Sequence, residues 1–152
     1  MGQPVRPGDP AELRPVGVSV IVVITLVGWL GMAVFWATLY VTDRIPSFDA
    51  VTTQWERSFV ALVYGFSAAD WVWTQLLSLA AIVGLWRLRA WGWTAAMMLN
   101  ALWVYIMTFR LVHDLVAGVA LGTAVFGLFG VYCLVATFYL WRKRALFGVM
   151  IS

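Results

Sequence analysis

The only histidine of the chain stands beside an arginine and an aspartate at helical spacing: Arg110, His113 and Asp114 fall at i, i+3 and i+4. A continuous helix would put all three on one face. A histidine beside a carboxylate takes up a proton near neutral pH or, once charged, holds an anion. The same triplet also reads as a helix-end ion pair, with Asp114 favourably placed in the first turn of a following helix. Asp70 is the second candidate. An acid at the edge of an apolar segment is costly to bury and marks ligand or proton sites, yet Ser67-Ala-Ala-Asp70 also matches a capping box, in which serine and carboxylate satisfy the free amides of a helix start. Asp43 closes the first apolar segment; beside Asp70 it would form a carboxylate pair able to bind a cation or share a proton.

Within the apolar segments the strongest polar groups are Gln75 and Asn100, roughly 10 and 15 Å below the outer helix ends by helix rise. They read either as hydrogen-bonded glue between two helices or as the polar floor of a cavity whose apolar walls are Trp36 and Trp103. Gly118 and Gly122 stand four apart, a pattern that brings helix backbones close within a bundle or between two copies. No catalytic residue, metal site or cofactor is assigned. One histidine with scattered carboxylates is not a zinc ligand set, and a single cysteine, Cys133, excludes a disulfide framework or a Cys-x-x-Cys redox pair.

The elements that must carry these residues are set by composition. Hydrophobic residues make up 63% of the 152, charged residues 11%, and mean hydropathy is +0.90, which excludes a water-exposed globular surface. Two uncharged stretches, Val16 to Thr42 and Leu115 to Trp141, each run 27 residues, longer than the roughly 20 that span a bilayer. Two shorter apolar segments lie between them around Arg87-Leu88-Arg89. The fold class expected is therefore all-α, a polytopic four-helix membrane bundle with spans at about 16–42, 68–87, 90–110 and 114–141. Residues 1–15 read as a disordered tail and 142–152 as a basic tail. Between the first two spans, Phe48, Val51, Trp55, Phe59 and Leu62 repeat at helical spacing opposite Asp49, Glu56 and Arg57. This predicts an amphipathic interfacial helix over about 47–64, ended by Gly65 and lidding the outer mouth.

Lysine and arginine fix the orientation. Seven lie on the side of the termini (Arg6, Arg14, Arg87, Arg89, Arg142, Lys143, Arg144) and three on the other (Arg44, Arg57, Arg110), so both termini are expected in the cytoplasm and the protein in the plasma, or inner, membrane. The net charge of +3 follows from this topology and not from a nucleic-acid surface. The outer side collects Asp43, Asp49, Glu56, Asp70 and Asp114, so chemistry needing both signs is expected there.

Phe35-Trp36, Ile45-Pro46, Trp55-Glu-Arg-Ser-Phe59, Asp70 and the Gly84-Leu-Trp-Arg-Leu-Arg-Ala-Trp-Gly-Trp93 hairpin give residues 28–114 a pattern that resembles small four-helix bacterial membrane proteins without an assigned function. A fainter likeness is to the emopamil-binding (sterol isomerase-like) superfamily. It implies acids near the ends of the first two helices around a lipid-binding cavity, with Asp43 and Asp70 as the counterparts. The function expected is non-enzymatic binding of a hydrophobic small molecule, a lipid or a membrane partner at the outer mouth, with membrane lipids as partners and helix four as a route to a homo-oligomer. The alternatives are a lipid-modifying enzyme using the outer acids and His113, or a small oligomeric transporter or channel subunit.

Overall fold

The computed structural model describes residues 14–42, 47 and 50–149. Among them all regular structure is helical, and four helices are long and apolar enough to cross a membrane: α1 Val16–Val41, α2 Gln54–Trp86, α3 Ala90–Val116 and α4 Ala120–Arg142. Consecutive helices run antiparallel as neighbours, α1 on α2, α2 on α3 and α3 on α4. One end of the bundle holds the start of α1, the α2–α3 turn and the end of α4; this is the termini end. The far end holds the α1–α2 connection and the α3–α4 turn.

The termini end is closely packed. Gly84 and Gly92 face each other across α2 and α3, and a Cβ on either would run into the backbone of the other. The chain turns sharply between them: Leu88 takes a left-handed conformation (φ 51°) and Arg89 N–H closes onto Gly84 carbonyl at 2.9 Å. Val18, Ile21, Leu85, Leu99, Cys133 and Leu140 form the core of this end. Trp93 Nε1 donates to Leu140 carbonyl at 2.9 Å and locks α3 to α4. Trp103 plugs the middle of the bundle, its ring against Gly28 of α1 and Phe129 of α4.

Three boundaries differ from the sequence expectation. α2 is one helix of 33 residues, not an interfacial helix over 47–64 followed by a span at 68–87. It runs as α-helix Gln54–Ala69, a π turn Asp70–Thr74, and α-helix Gln75–Trp86. Gly65 has open space around it and ends nothing, because a glycine within a helix costs only about 1 kcal/mol. With the backbone helical on both sides, Ser67 and Asp70 have no free amides to cap. The capping box stands at Thr53 and Glu56 instead, where Glu56 N–H donates to Thr53 Oγ1 at 3.2 Å and Thr53 N–H donates to Glu56 Oε2 at 3.1 Å.

At the other turn, α3 continues through Arg110, His113 and Asp114 to Val116 and α4 starts at Ala120, not at Asp114. Gly118 makes the turn at φ 70°, and Val119 N–H closes onto Asp114 carbonyl at 2.8 Å, the kind of left-handed closure that glycine accepts without strain. The expected Gly118–Gly122 packing pair is therefore not a helix face: Gly118 lies outside α4, and Gly122 sits against the Asp114 carboxylate. The basic tail is also partly structured, since Arg144–Phe147 forms a 3-10 turn that buries Phe147 in the core.

Candidate functional site

The far end carries polar groups where the termini end carries apolar ones. One face of α2 is buried along its length, reading Ser67, Asp70, Thr74, Ser78, Ala81, Leu85, so the stripe changes from polar to apolar as it approaches the termini end. Asp70 is 7% exposed. It lies 16 residues from Trp86, about 24 Å by helix rise, a distance shorter than the roughly 30 Å thickness of a bilayer's hydrocarbon core. Trp36 Nε1 of α1 donates to Asp70 Oδ2 at 2.9 Å, and Thr74 Oγ1 donates to Oδ1 at 3.2 Å. One turn outward the Tyr40 and Ser67 hydroxyls share a hydrogen bond, and one turn inward Ser78 Oγ donates to Thr74 carbonyl at 2.6 Å.

The π turn coincides with this group. It begins at Asp70 and ends at Thr74, so both side chains that meet there leave the backbone where the helix is widened; single π turns of this kind recur at functional sites. Both donors to Asp70 are neutral, and among the described residues no arginine, lysine or histidine pairs with it.

Across the helix interface, the Gly84–Gly92 contact and the Phe66–Phe109 stack at 5.5 Å set the antiparallel register of α2 and α3. Asn100 thereby comes level with Gln75. The two do not hydrogen-bond: Gln75 lies one position off the buried stripe and is half-exposed, whereas Asn100 is buried and its Nδ2 has no partner among the described residues. An unpaired buried amide of this kind costs about 1–3 kcal/mol. Trp103 does not line a wall of this region as expected but fills the centre beneath it, while Trp36 contributes its N–H as well as its ring.

The second group is Arg110, His113 and Asp114, which α3 brings together as the spacing implied. Asp114 is 2% exposed. Its Oδ1 receives Arg110 Nη2 at 3.2 Å and faces His113 Nδ1 at 2.9 Å, and Oδ2 lies against the bare Cα of Gly122. No contact joins this group to Asp70. Beside it, Phe109, Val112, His113, Val116 and Ala117 line a shallow open groove of about 350 Å³ on one face of α3. Asp43 lies outside the described residues, and with it the proposed Asp43–Asp70 pair. Among the described residues no three His, Cys, Asp or Glu side chains come together as metal ligands.

Sequence reading missed Thr74, Ser78 and Tyr40, and gave Ser67 a capping role in place of its hydrogen bond to Tyr40. Their signal was present: Ser67, Asp70, Thr74 and Ser78 repeat at three and four residues, a polar helix face hidden by the assumption that a new helix began at Ser67. Comparison with protein-family models, with curated proteins and with solved structures finds no match to this chain.

Proposed function

We propose that this chain is a multi-pass protein of the plasma, or inner, membrane that binds a hydrophobic molecule bearing a hydrogen-bonding group, taken up at the far end beside Asp70. The orientation, with both termini cytoplasmic, rests on the seven-to-three division of Lys and Arg. The observation that carries the binding reading is the buried Asp70 carboxylate held by neutral donors alone, with Asn100 Nδ2 on the neighbouring helix without a partner among the described residues.

Carboxylate oxygens retain free lone pairs after two hydrogen bonds, so Asp70 can accept from a hydroxyl or amine, and Asn100 Nδ2 can donate to an oxygen of the same molecule. Access is lateral. In their far halves α1 and α4 bury one residue between them, Trp36, so that flank faces lipid and not protein.

Native mass spectrometry of the protein released from mild detergent is expected to show a retained molecule of defined mass that disappears in Asp70→Asn with helix content unchanged. Retention by that variant would remove Asp70 from the site. The lipid-modifying alternative draws on the His113–Asp114 hydrogen bond, which orients an imidazole as a proton acceptor. It requires an activity that is lost in His113→Gln with helix content unchanged.

A further inference from the structure

We propose a second site, distinct from the Asp70 region: Arg110 and His113 hold the headgroup of a phospholipid whose phosphate meets Arg110 and whose headgroup hydroxyl donates to His113, with Asp114 as the positioning residue and the exposed apolar face of α3 at Phe109 and Tyr105 as the acyl-chain track. The two polar side chains have opposite capacities. Arg110 carries five N–H donors and among the described residues gives one group, Nη2, to Asp114, while its side chain stays 39% exposed. His113 presents Nδ1 to the Asp114 carboxylate, an acceptor-only group paired with a guanidinium, so in the neutral ring Nδ1 carries the proton and Nε2 accepts. The imidazole is 52% exposed, and Nε2 has no partner among the described residues.

Asp114 is almost fully buried and pinned against Gly122, so the geometry of both cation and imidazole is fixed by the packing of α3 on α4. The apolar part of the site adjoins this pair directly. His113 is itself a wall of the groove; on its membrane side Phe109 and Tyr105, one and two turns back along α3, continue an exposed apolar face at 46% and 65% exposure, whereas Val116 and Ala117 lie toward the α3–α4 turn. A donor-rich cation and an acceptor at the far-end boundary, joined to an apolar track running into the membrane, match a glycerophospholipid with a hydroxylated headgroup. They match a choline headgroup less well, because it has no proton for Nε2.

The test places the full chain in nanodiscs of phosphatidylcholine containing phosphatidylglycerol and counts lipids that stay bound by native mass spectrometry. Phosphatidylglycerol is expected to be enriched about fivefold over its share of the bilayer, the ratio one neutral hydrogen bond supports. His113→Phe is expected to return the bound lipid to the bulk ratio while leaving phospholipid bound, and Arg110→Gln to reduce the number of phospholipids bound. Asp70→Asn is expected to change neither, which separates failure here from failure of the Asp70 reading. Lipids bound by the unaltered protein in bulk proportion, enrichment that survives His113→Phe, or displacement by millimolar inorganic phosphate would each overturn the proposal, the last by showing a free-anion site.

Discussion

At the termini end, α2 and α3 approach until Gly84 and Gly92 backbones touch, and the neighbouring layers are Leu, Val, Ala and a buried Phe147. At the far end the same two helices meet through Phe66 and Phe109, and buried side chains there include Ser67, Asp70, Thr74, Asn100 and Asp114. The first end resists change because close-packed interiors give no room for added atoms. The second is held by polar contacts, each worth only about 1 kcal/mol net, so it can rearrange around a ligand while the first stays fixed. The two buried acids divide the far end further. Asp114 meets an arginine and a histidine, so its charge is balanced in place and its partners face outward. Asp70 meets an indole N–H and a hydroxyl, which orient a carboxylate without balancing it.

The most damaging change should be at the packed end. Gly92→Leu is expected to cost about 3 kcal/mol or more, read as a lower midpoint of unfolding by SDS in mixed micelles, since no shift of a flexible side chain relieves a clash with the Gly84 backbone. An unchanged midpoint would mean that the helices are not in this contact.

Asp114→Ala comes next, at about 2 kcal/mol. The loss falls below the 3–5 kcal/mol of a fully buried pair because Arg110 and His113 are exposed enough to rehydrate. The same measurement should show Asp114→Asn recovering part of the loss, and equal losses in both would assign the effect to packing against Gly122.

Trp36→Phe should cost about 1 kcal/mol, the value of one hydrogen bond with the ring contact largely kept. It should also lower retention of the far-end molecule, so a loss of stability without loss of retention would confine Trp36 to a structural role. Asp70→Asn is expected to move stability least, by less than about 1 kcal/mol, since an amide oxygen still accepts from Trp36 or Thr74. Its effect belongs to binding, and a large destabilisation would place Asp70 with Asp114 as a structural acid.

Much of the far end was legible as separate pieces. Arg110, His113 and Asp114 stood at helical spacing and the structure keeps that spacing, because an i,i+4 ion pair supports the helix it sits on. Asp70 was singled out for its depth, but its role as half of a capping box did not hold. A local motif was scored without knowing that Trp36, 34 residues away, supplies its hydrogen bond. Gly118 was read by spacing with Gly122 and proved to be a turn residue. The choice between a glycine that packs and one that turns rests on φ, which one glycine's identity leaves open.

The amino-acid sequence by itself determined that the chain forms four helices long and apolar enough to cross a membrane, since apolar length against bilayer thickness and the scarcity of charge dictate this. It also determined which few polar residues had to matter, because each is expensive at membrane depth. Tertiary structure alone decided their partners: that Trp36 meets Asp70, that Asn100 Nδ2 is left without an acceptor among the described residues, that Gln75 does not bond to it, and that Gly84 meets Gly92 backbone to backbone. In lipid, apolar side chains gain nothing by choosing one apolar neighbour over another, so helix rotation and register follow from close packing and scattered hydrogen bonds. Those are properties of pairs of helices, not of any one segment.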